Sequence, residues 1–286
     1  MKKALFVIMA FISVIASAQN KPEVIQLWQD GAPESNGLDP AKMVVTDSRA
    51  SATTEAVLTL YKPSKPNGTA IVACPGGGYA HLALAHEGKD MASWMNAMGI
   101  TYAVLQYRMP NSHSTIPLSD AARAIKYVRD HAEELGVNPS KIGIMGASAG
   151  GHLAASAATM FPDNASRPDF QILFYPVITM EAGVTHKGSR DNLIGKEATE
   201  ELVQLYSLEN RVTEQTPQAF IMVSADDRAV PVANSLRYAE ALSNHGVPFS
   251  LHVYPTGGHG WGFRDSFIYK RQWTGELEAW LRVRIF

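Results

Sequence analysis

The sequence predicts an α/β fold, with a mostly parallel sheet of eight strands flanked by helices and a single domain over residues 19–286. Two features of the chain predict it. From Thr69 onward, short apolar runs alternate with amphipathic segments, at spacings that suit parallel strands and their crossover helices. Before Thr69, extended segments follow one another with no helix between them, which favours an antiparallel edge.

The individual elements follow from this periodicity and from the turn residues that interrupt it. The predicted strands are residues 24–28, 43–48, 56–61, 69–74, 100–106, 141–145, 170–175, 219–224 and 249–254. The predicted helices are residues 88–98, 117–135, 152–158, 199–206, 232–244 and 269–281. Residues 178–216 break the alternation. We expect them to form a small cap-like insertion at the edge where open α/β sheets bind ligands.

The N-terminal residues predict the location of the protein. Lys2 and Lys3 precede an apolar run over residues 4–15, and the small residues 16–18 suit a cleavage site. Residues 1–18 are therefore predicted to be a signal peptide, so we expect a periplasmic or extracellular protein with no membrane anchor after cleavage.

A formal net charge of −2 without a basic run argues against a nucleic-acid partner. The single Cys74 excludes an internal disulfide, and the oligomeric state is not indicated.

Residues 146–151, Gly-Ala-Ser-Ala-Gly-Gly, are the strongest indication of chemistry. They follow a short apolar strand and precede an alanine-rich helix, the context in which a G-x-S-x-G motif forms a nucleophile elbow. Glycines at Gly146 and Gly150 suit such a turn, because its neighbours approach too closely for Cβ atoms. Ser148 is therefore the predicted nucleophile.

Two later loops contain candidates for the base and the acid that such a serine requires. His259 lies between glycines after the last predicted strand, and Asp226 and Asp227 follow the strand before it. A serine hydroxyl needs a base to take its proton, and the base needs a carboxylate to hold its tautomer. The order serine, aspartate, histidine is the one that accompanies a nucleophile elbow. Either aspartate suits the role, and Asp227 also suits the cap of the following helix.

A glycine run supplies candidates for oxyanion binding. Gly76, Gly77 and Gly78 end the strand predicted over residues 69–74, where backbone amides would face the nucleophile. A tetrahedral oxyanion needs two or three such donors. The predicted donors are the amides of Gly77 and Gly78, together with the amide of Ala149, the residue after the nucleophile.

Weaker candidates for substrate contact lie near these segments. They are Tyr79, His81, His86, Glu87, His186 and Trp261. Trp261 follows the predicted base by two residues, and its aromatic face would suit a sugar. The histidines lack the spacing of a zinc site and no H-E-x-x-H motif occurs, so we expect neither a metal nor another cofactor.

Short motifs along the chain carry a resemblance to a known family. They are CPGGGY (74–79), HEG (86–88), YR (107–108), GASAGGHL (146–153), LFYPVITM (173–180), DD (226–227), VPV (230–232) and GGHG (257–260). Together they resemble the secreted α/β-hydrolase esterases of the acetylxylan-esterase type, which are often labelled xylanase or xylan esterase. The resemblance extends from about residue 28 to the last helix. A more distant similarity is to hormone-sensitive-lipase-type esterases, from which Pro75 and Ala147 depart.

The resemblance implies a fold, an activity and the choice between the two aspartates. It implies an α/β-hydrolase that acts as a serine carboxylesterase, removing acetyl or another small acyl group from a polysaccharide or oligosaccharide. Related hydrolases with an Asp-Asp-x-x-Val-Pro loop use the first aspartate, which implies Asp226 as the triad acid and Asp227 as a structural residue. An acylated carbohydrate is the expected partner, and no cofactor is implied.

Two other functions remain open at this point. A serine peptidase of the prolyl-oligopeptidase type would share the triad and the Asp-Asp loop, although nothing in this chain supplies the propeller that such enzymes normally carry. A non-catalytic carbohydrate-binding relative would retain the fold without turnover. A glycosidase would need two carboxylates flanking a sugar bond, and no such pair with a role is evident in the sequence.

Overall fold

A computed structural model describes residues 21–286, so the signal peptide predicted over residues 1–18 lies outside the described residues. In chain order the strands are β1 (Glu23–Gln26), β2 (Val44–Val45), β3 (Ala50–Ser51), β4 (Val57–Tyr61), β5 (Gly68–Cys74), β6 (His81–Leu82), β7 (Thr101–Gln106), β8 (Val137–Ala147), β9 (Phe170–Phe174), β10 (Ala219–Ser224) and β11 (Phe249–Tyr254). The helices are α1 (Ala92–Ala97), α2 (Thr115–Asp130), α3 (Ala149–Thr159), α4 (Lys187–Ile194), α5 (Glu200–Tyr206), α6 (Ala233–Asn244) and α7 (Lys270–Arg284).

Eight of the strands form the main sheet, in the order β1-β4-β7-β5-β8-β9-β10-β11. Along this order, every pair between β7 and β11 is parallel. The pairs β1–β4 and β4–β7, at one edge, are antiparallel. The predicted mostly parallel sheet of eight strands is therefore confirmed. The carboxyl ends of β5, β8, β10 and β11 lie at the same edge of the sheet, which brings the loops that follow them together.

One predicted strand belongs elsewhere. The segment predicted over residues 43–48 contributes only β2, which pairs with β3 in a small antiparallel sheet completed by β6. Val44 and Val45 are exposed, so no buried face holds the segment to the main sheet. The antiparallel edge of the main sheet consists of β1 and β4 alone.

Helices cover both faces of the main sheet, and the pleat of β5 shows how. Ala70, Val72 and Cys74 point into one apolar cluster with side chains of α2, α3 and α6. Ile71 and Ala73 point into a second cluster with side chains of α1 and α7. Because alternate strand residues face opposite sides, a run of apolar residues in β5 is what a strand buried on both faces requires.

The segment predicted as a cap-like insertion, residues 178–216, contains α4, α5 and the short 3-10 helix Leu208–Arg211. Asn192 on α4 donates a hydrogen bond of 2.8 Å to the carbonyl oxygen of Gly78, in the loop after β5. The carbonyl oxygen of Tyr206, at the end of α5, accepts a hydrogen bond of 2.8 Å from His152 on α3. These contacts hold the segment against the loop after β5 and against α3. Its role as a cap stays a prediction.

Candidate active site

Ser148 lies on the turn between β8 and α3 in a backbone conformation that few non-glycine residues adopt. Its φ is 54° and its ψ is −119°, and such strain persists only where the surrounding structure enforces it. A Cβ atom on Gly146 would collide with the carbonyl oxygen of Gly150, and one on Gly150 would collide with the carbonyl oxygen of Cys74. The two glycines therefore let β8, α3 and the end of β5 approach each other around the serine.

The side chain of His259 connects Ser148 to a buried carboxylate. His259 Nε2 lies 2.8 Å from the Ser148 hydroxyl oxygen, and Nδ1 lies 2.6 Å from Oδ2 of Asp227. Because an ionised carboxylate only accepts hydrogen bonds, Nδ1 carries the proton, which leaves Nε2 to accept the serine proton. The side chain of Asp227 is 0% exposed, and its Oδ1 accepts hydrogen bonds of 2.9 Å from the amides of Ala229 and Val230. This is the geometry of a Ser-His-Asp triad.

The expectation that Asp226 contacts the histidine is wrong. Asp226 is exposed, and its carboxylate accepts hydrogen bonds from the amides of Gly258 (2.8 Å) and Gly257 (3.3 Å). It thus braces the loop that carries His259, while Asp227 faces the imidazole. The helix-cap interpretation of Asp227 is wrong, because the amides that its Oδ1 binds lie in the loop before α6, whose N-cap residue Val232 has no side-chain cap.

The glycine loop after β5 runs directly beside the nucleophile. A Cβ atom on Gly76 would lie 2.9 Å from Cβ of Ser148, and Gly77 and Gly78 have φ values of +130° and +65°. Among the described residues, the amides of Gly77 and Gly78 have no hydrogen-bond partner. Ala149 is the first residue of α3, where a helical amide has no carbonyl one turn before it. The role of these three amides as oxyanion donors stays a prediction.

A buried carboxylate connects this loop to the base. The side chain of Glu87 is 4% exposed, and its Oε2 accepts a hydrogen bond of 2.9 Å from the amide of Gly76. Its Oε1 accepts one of 2.8 Å from the Tyr175 hydroxyl, which in turn accepts 2.8 Å from the amide of Gly262. The Tyr175 ring packs against the His259 ring at 4.7 Å between centroids. Burial, then the Glu87 charge, raises the pKa of Tyr175 well above its usual value, so the hydroxyl stays protonated.

Comparison with known proteins agrees with this architecture. A family model described as the alpha/beta hydrolase fold matches residues 71–263. The chain belongs to the α/β-hydrolase fold family. Among solved structures, it is similar to an acetyl ester-xyloside bifunctional hydrolase from Caldicellulosiruptor lactoaceticus, with a TM-score of 0.79 and 38% identity over 91% of this chain and 96% of that one.

Two curated relatives of this α/β-hydrolase are longer proteins. An acetylxylan esterase from Xylanibacter ruminicola is 44% identical over 80% of this chain and 48% of its own length. An endo-1,4-beta-xylanase B from Butyrivibrio fibrisolvens is 35% identical over 73% of this chain and 35% of its own length. The chain thus spans about half or less of the length of each relative.

Three of the predicted substrate contacts are buried and contact other residues of the protein. Glu87 belongs to the network described above. Tyr79 is 2% exposed and its hydroxyl donates a hydrogen bond of 3.0 Å to Nδ1 of His152. Trp261 is 4% exposed, and its ring stacks on Phe267 with 4.1 Å between centroids. The expectation that Trp261 offers its face to a sugar is therefore wrong, because Phe267 covers it.

The other predicted contacts, all histidines, are half-buried around the site. His81 follows the glycine loop within β6, and the ring nitrogens of His86 lie 3.3 and 3.4 Å from a guanidinium nitrogen of Arg264. Burial lowers the pKa of both histidines. His186 caps the N-terminus of α4. Its Cε1 would lie 3.5 Å from a Cβ atom on Gly78, and Cδ2 of His81 would lie 2.9 Å from one on Gly77, so both histidines lie against predicted oxyanion donors.

Two cavities open beside these residues. One of about 300 Å³ is lined by His259, Thr256, Arg264 and Ser266, and one of about 310 Å³ is lined by Tyr79, Met109, Asn111 and Asn192. Within residues 21–286 no cluster of three or more histidine, cysteine, aspartate or glutamate side chains is arranged to hold a metal ion. The same part of the chain contains no helix with the length and apolarity to cross a membrane.

Sequence reasoning missed one residue of this site, Tyr175, and assigned another, Asp227, to the wrong role. Tyr175 was read only as the end of an apolar strand, and its φ of 35° and its contacts to Glu87 and His259 carry no sequence signature. Asp227 was identified, but as a structural residue.

Proposed function

We propose that this chain is a serine carboxylesterase that removes acetyl, or another small acyl group, from a polysaccharide or its oligosaccharides. The observation that carries the proposal is the hydrogen-bonded series from Ser148 through His259 to the buried Asp227, beside a loop of free amides. The names of the relatives support the substrate class, since one is an acetylxylan esterase and a structural neighbour acts on acetyl esters.

The geometry supports a two-step reaction. His259 Nε2 takes the proton of Ser148 as the serine oxygen forms a bond to the ester carbonyl carbon. The carbonyl oxygen becomes an oxyanion that the amides of Gly77, Gly78 and Ala149 bind. The intermediate then breaks its bond to the sugar oxygen, which receives the proton from His259. Water repeats the sequence on the acyl-enzyme, releasing the acid and restoring the serine.

The test is acetate release from acetylated xylan, acetylated pectin and sugar acetates, measured beside 4-nitrophenyl acetate and butyrate. We expect release from at least one carbohydrate acetate by the intact protein and none above background by the Ser148→Ala variant. Turnover of the nitrophenyl esters alone would refute the carbohydrate substrate. Hydrolysis of an aminoacyl-nitroanilide without action on esters would favour the peptidase, and failure of an active-serine probe to label Ser148 would favour a non-catalytic relative.

Two relatives have names or titles that refer to xylan or xyloside cleavage, so the same assay includes 4-nitrophenyl xyloside. We expect no cleavage of it. The two buried carboxylates of the site, Asp227 and Glu87, are both occupied by hydrogen bonds within the protein. Neither is available to flank a glycosidic bond as a glycosidase requires.

We further propose that the protein is exported, to the periplasm or the medium. The support is the sequence of residues 1–18, with two lysines, a short apolar run and small residues before residue 19. Fractionation of expressing cells, followed by N-terminal sequencing, should find a mature chain that begins near residue 19. A cytoplasmic protein that retains Met1 would refute this proposal.

A further inference from the structure

His186 is half-buried, with its ring beside Gly78 of the glycine loop and Gly188 of its own segment. It precedes α4, in the segment that inserts between β9 and β10. Cβ atoms built on Gly78 and Gly188 would lie 3.5 and 3.1 Å from His186 Cε1. The first distance is an ordinary van der Waals contact and the second is tighter, so the imidazole lies against the backbone at Gly78, which carries a predicted oxyanion amide.

The hydrogen bonds of His186 determine which ring nitrogen carries its proton. Nδ1 accepts a hydrogen bond of 3.2 Å from the amide of Ser189 and lies 2.8 Å from the Ser189 hydroxyl. A backbone amide only donates, so Nδ1 is unprotonated and the proton of the neutral ring is on Nε2. Within residues 21–286, no group accepts a hydrogen bond from Nε2. The ring therefore offers one N–H donor that the protein leaves unused.

The surroundings keep the ring neutral. Burial is the main cause that lowers the pKa of His186, and the charge of protonated His259 lowers it further, while Asp227 acts in the opposite direction. Both of these charges belong to the triad, which supports a position of His186 on the side of the site where His259 lies. His186 Cε1 lies against Gly78, whose amide is a predicted donor to the ester carbonyl oxygen.

We propose that Nε2–H of His186 donates a hydrogen bond to a hydroxyl or ring oxygen adjacent to the ester in the alcohol part of the substrate. This inference rests on the proposed esterase function and names the residue that would recognise the hydroxylated alcohol part of its substrate. An ester of a simple alcohol leaves the donor without a partner in the bound state, and a site built to bind a hydroxyl discriminates against the analogue that lacks it.

The test compares two acetates that differ by one hydroxyl: trans-2-hydroxycyclohexyl acetate and cyclohexyl acetate. Both form the same acetyl-enzyme, so the ratio of their kcat/KM values reports on the alcohol side alone. We expect the wild-type protein to favour the hydroxylated ester by about tenfold, the worth of one hydrogen bond. The His186→Phe variant should reduce that ratio to near one, and His186→Gln, whose amide nitrogen can occupy the position of Nε2, should retain part of it.

Two controls accompany these variants. His131→Phe makes the same change at a half-buried histidine that stacks on Tyr127 at the end of α2, and it should leave the ratio unchanged. The ratio for each variant is measured beside its turnover of 4-nitrophenyl acetate, whose leaving group has no oxygen adjacent to the ester, and His131→Phe should keep that turnover within about threefold of wild type.

Each remaining outcome overturns the inference. A wild-type ratio near one, or an unchanged ratio in His186→Phe, would show that His186 does not contact the alcohol. An equal loss on both cyclohexyl esters would assign His186 to the support of the triad instead. If the wild-type protein cleaved no ester at all, the proposed function would fail together with the inference. If it cleaved sugar acetates and the ratio alone failed, only the inference would be lost.

Discussion

The turn at Ser148 and the loop at Asp226 and Asp227 both follow buried parallel strands of one sheet, yet different forces set their geometry. At the turn, residues adjacent in sequence decide the outcome, because Gly146 and Gly150 permit contacts that any Cβ would block. At the loop, two neighbouring aspartates are chemically alike, and Asp227 is distinguished only by its contact with His259, 32 residues later in the chain. A sequence motif therefore shows a local steric requirement, whereas the choice between two adjacent aspartates depends on tertiary contacts.

The largest expected effect is at the locally determined turn. Ser148→Ala should lower kcat by about 10⁴- to 10⁶-fold, because no other group in the series can attack the ester. The assay is 4-nitrophenyl acetate hydrolysis by purified protein with a folded circular dichroism spectrum. Activity within tenfold of wild type would end the serine-nucleophile assignment.

Variants of the two adjacent aspartates test which of them orients His259. Asp227→Asn should lower kcat by about 10²- to 10⁴-fold, since an amide that donates to Nδ1 would place the imidazole proton on Nε2 and prevent it from accepting the serine proton. Asp226→Asn should stay within about fivefold of wild type, because its carboxylate is exposed and only braces Gly257 and Gly258. The reverse ranking of the two variants would restore the assignment made from the resemblance.

An intermediate effect is expected where the two regions connect, at Glu87 and Tyr175. Glu87→Gln keeps one acceptor oxygen and replaces the other with an NH₂ group, which cannot accept a hydrogen bond. One of the two donors that face Glu87 therefore loses its buried hydrogen bond, at a cost of about 1–3 kcal/mol. We expect kcat to fall about 10- to 100-fold with KM within about threefold, and Tyr175→Phe to behave similarly. The control is Tyr238→Phe, which removes a buried hydroxyl that donates to Gln171 away from the triad. It should lower stability without lowering kcat; equal kcat losses in both tyrosine variants would contradict a positioning role.

The last prediction concerns stability in acid rather than the rate of the reaction, on the helix behind Ser148. Burial lowers the pKa of His152 to about 4, so the folded protein favours the neutral ring, which accepts from Tyr79 and donates to Tyr206. The resulting stability is complete above about pH 6.5 and is lost as the pH falls toward 4, by about 3 kcal/mol at most. Urea unfolding at pH 7 and pH 4 should show a smaller decrease for His152→Asn than for wild type. The same decrease in both would exclude His152 as a cause.

The sequence predicted the parts of the molecule that depend on near neighbours. The parallel sheet followed from the alternation of apolar and amphipathic segments after Thr69, and the elbow followed from two glycines around Ser148. The segment over residues 43–48 was assigned to the wrong sheet, because its exposed valines pack against no helix and only contacts to β3 decide its partner.

Taken by itself, the sequence determined the fold class, the nucleophile and the base, because strand periodicity and glycine-permitted turns are local properties of the chain. Only the tertiary structure selected Asp227 over Asp226, since that choice depends on which carboxylate the loop after β10 turns toward His259. It also placed Tyr175 beneath the imidazole and covered Trp261 with Phe267. These contacts join residues far apart in the chain, and no local pattern encodes the distance between them.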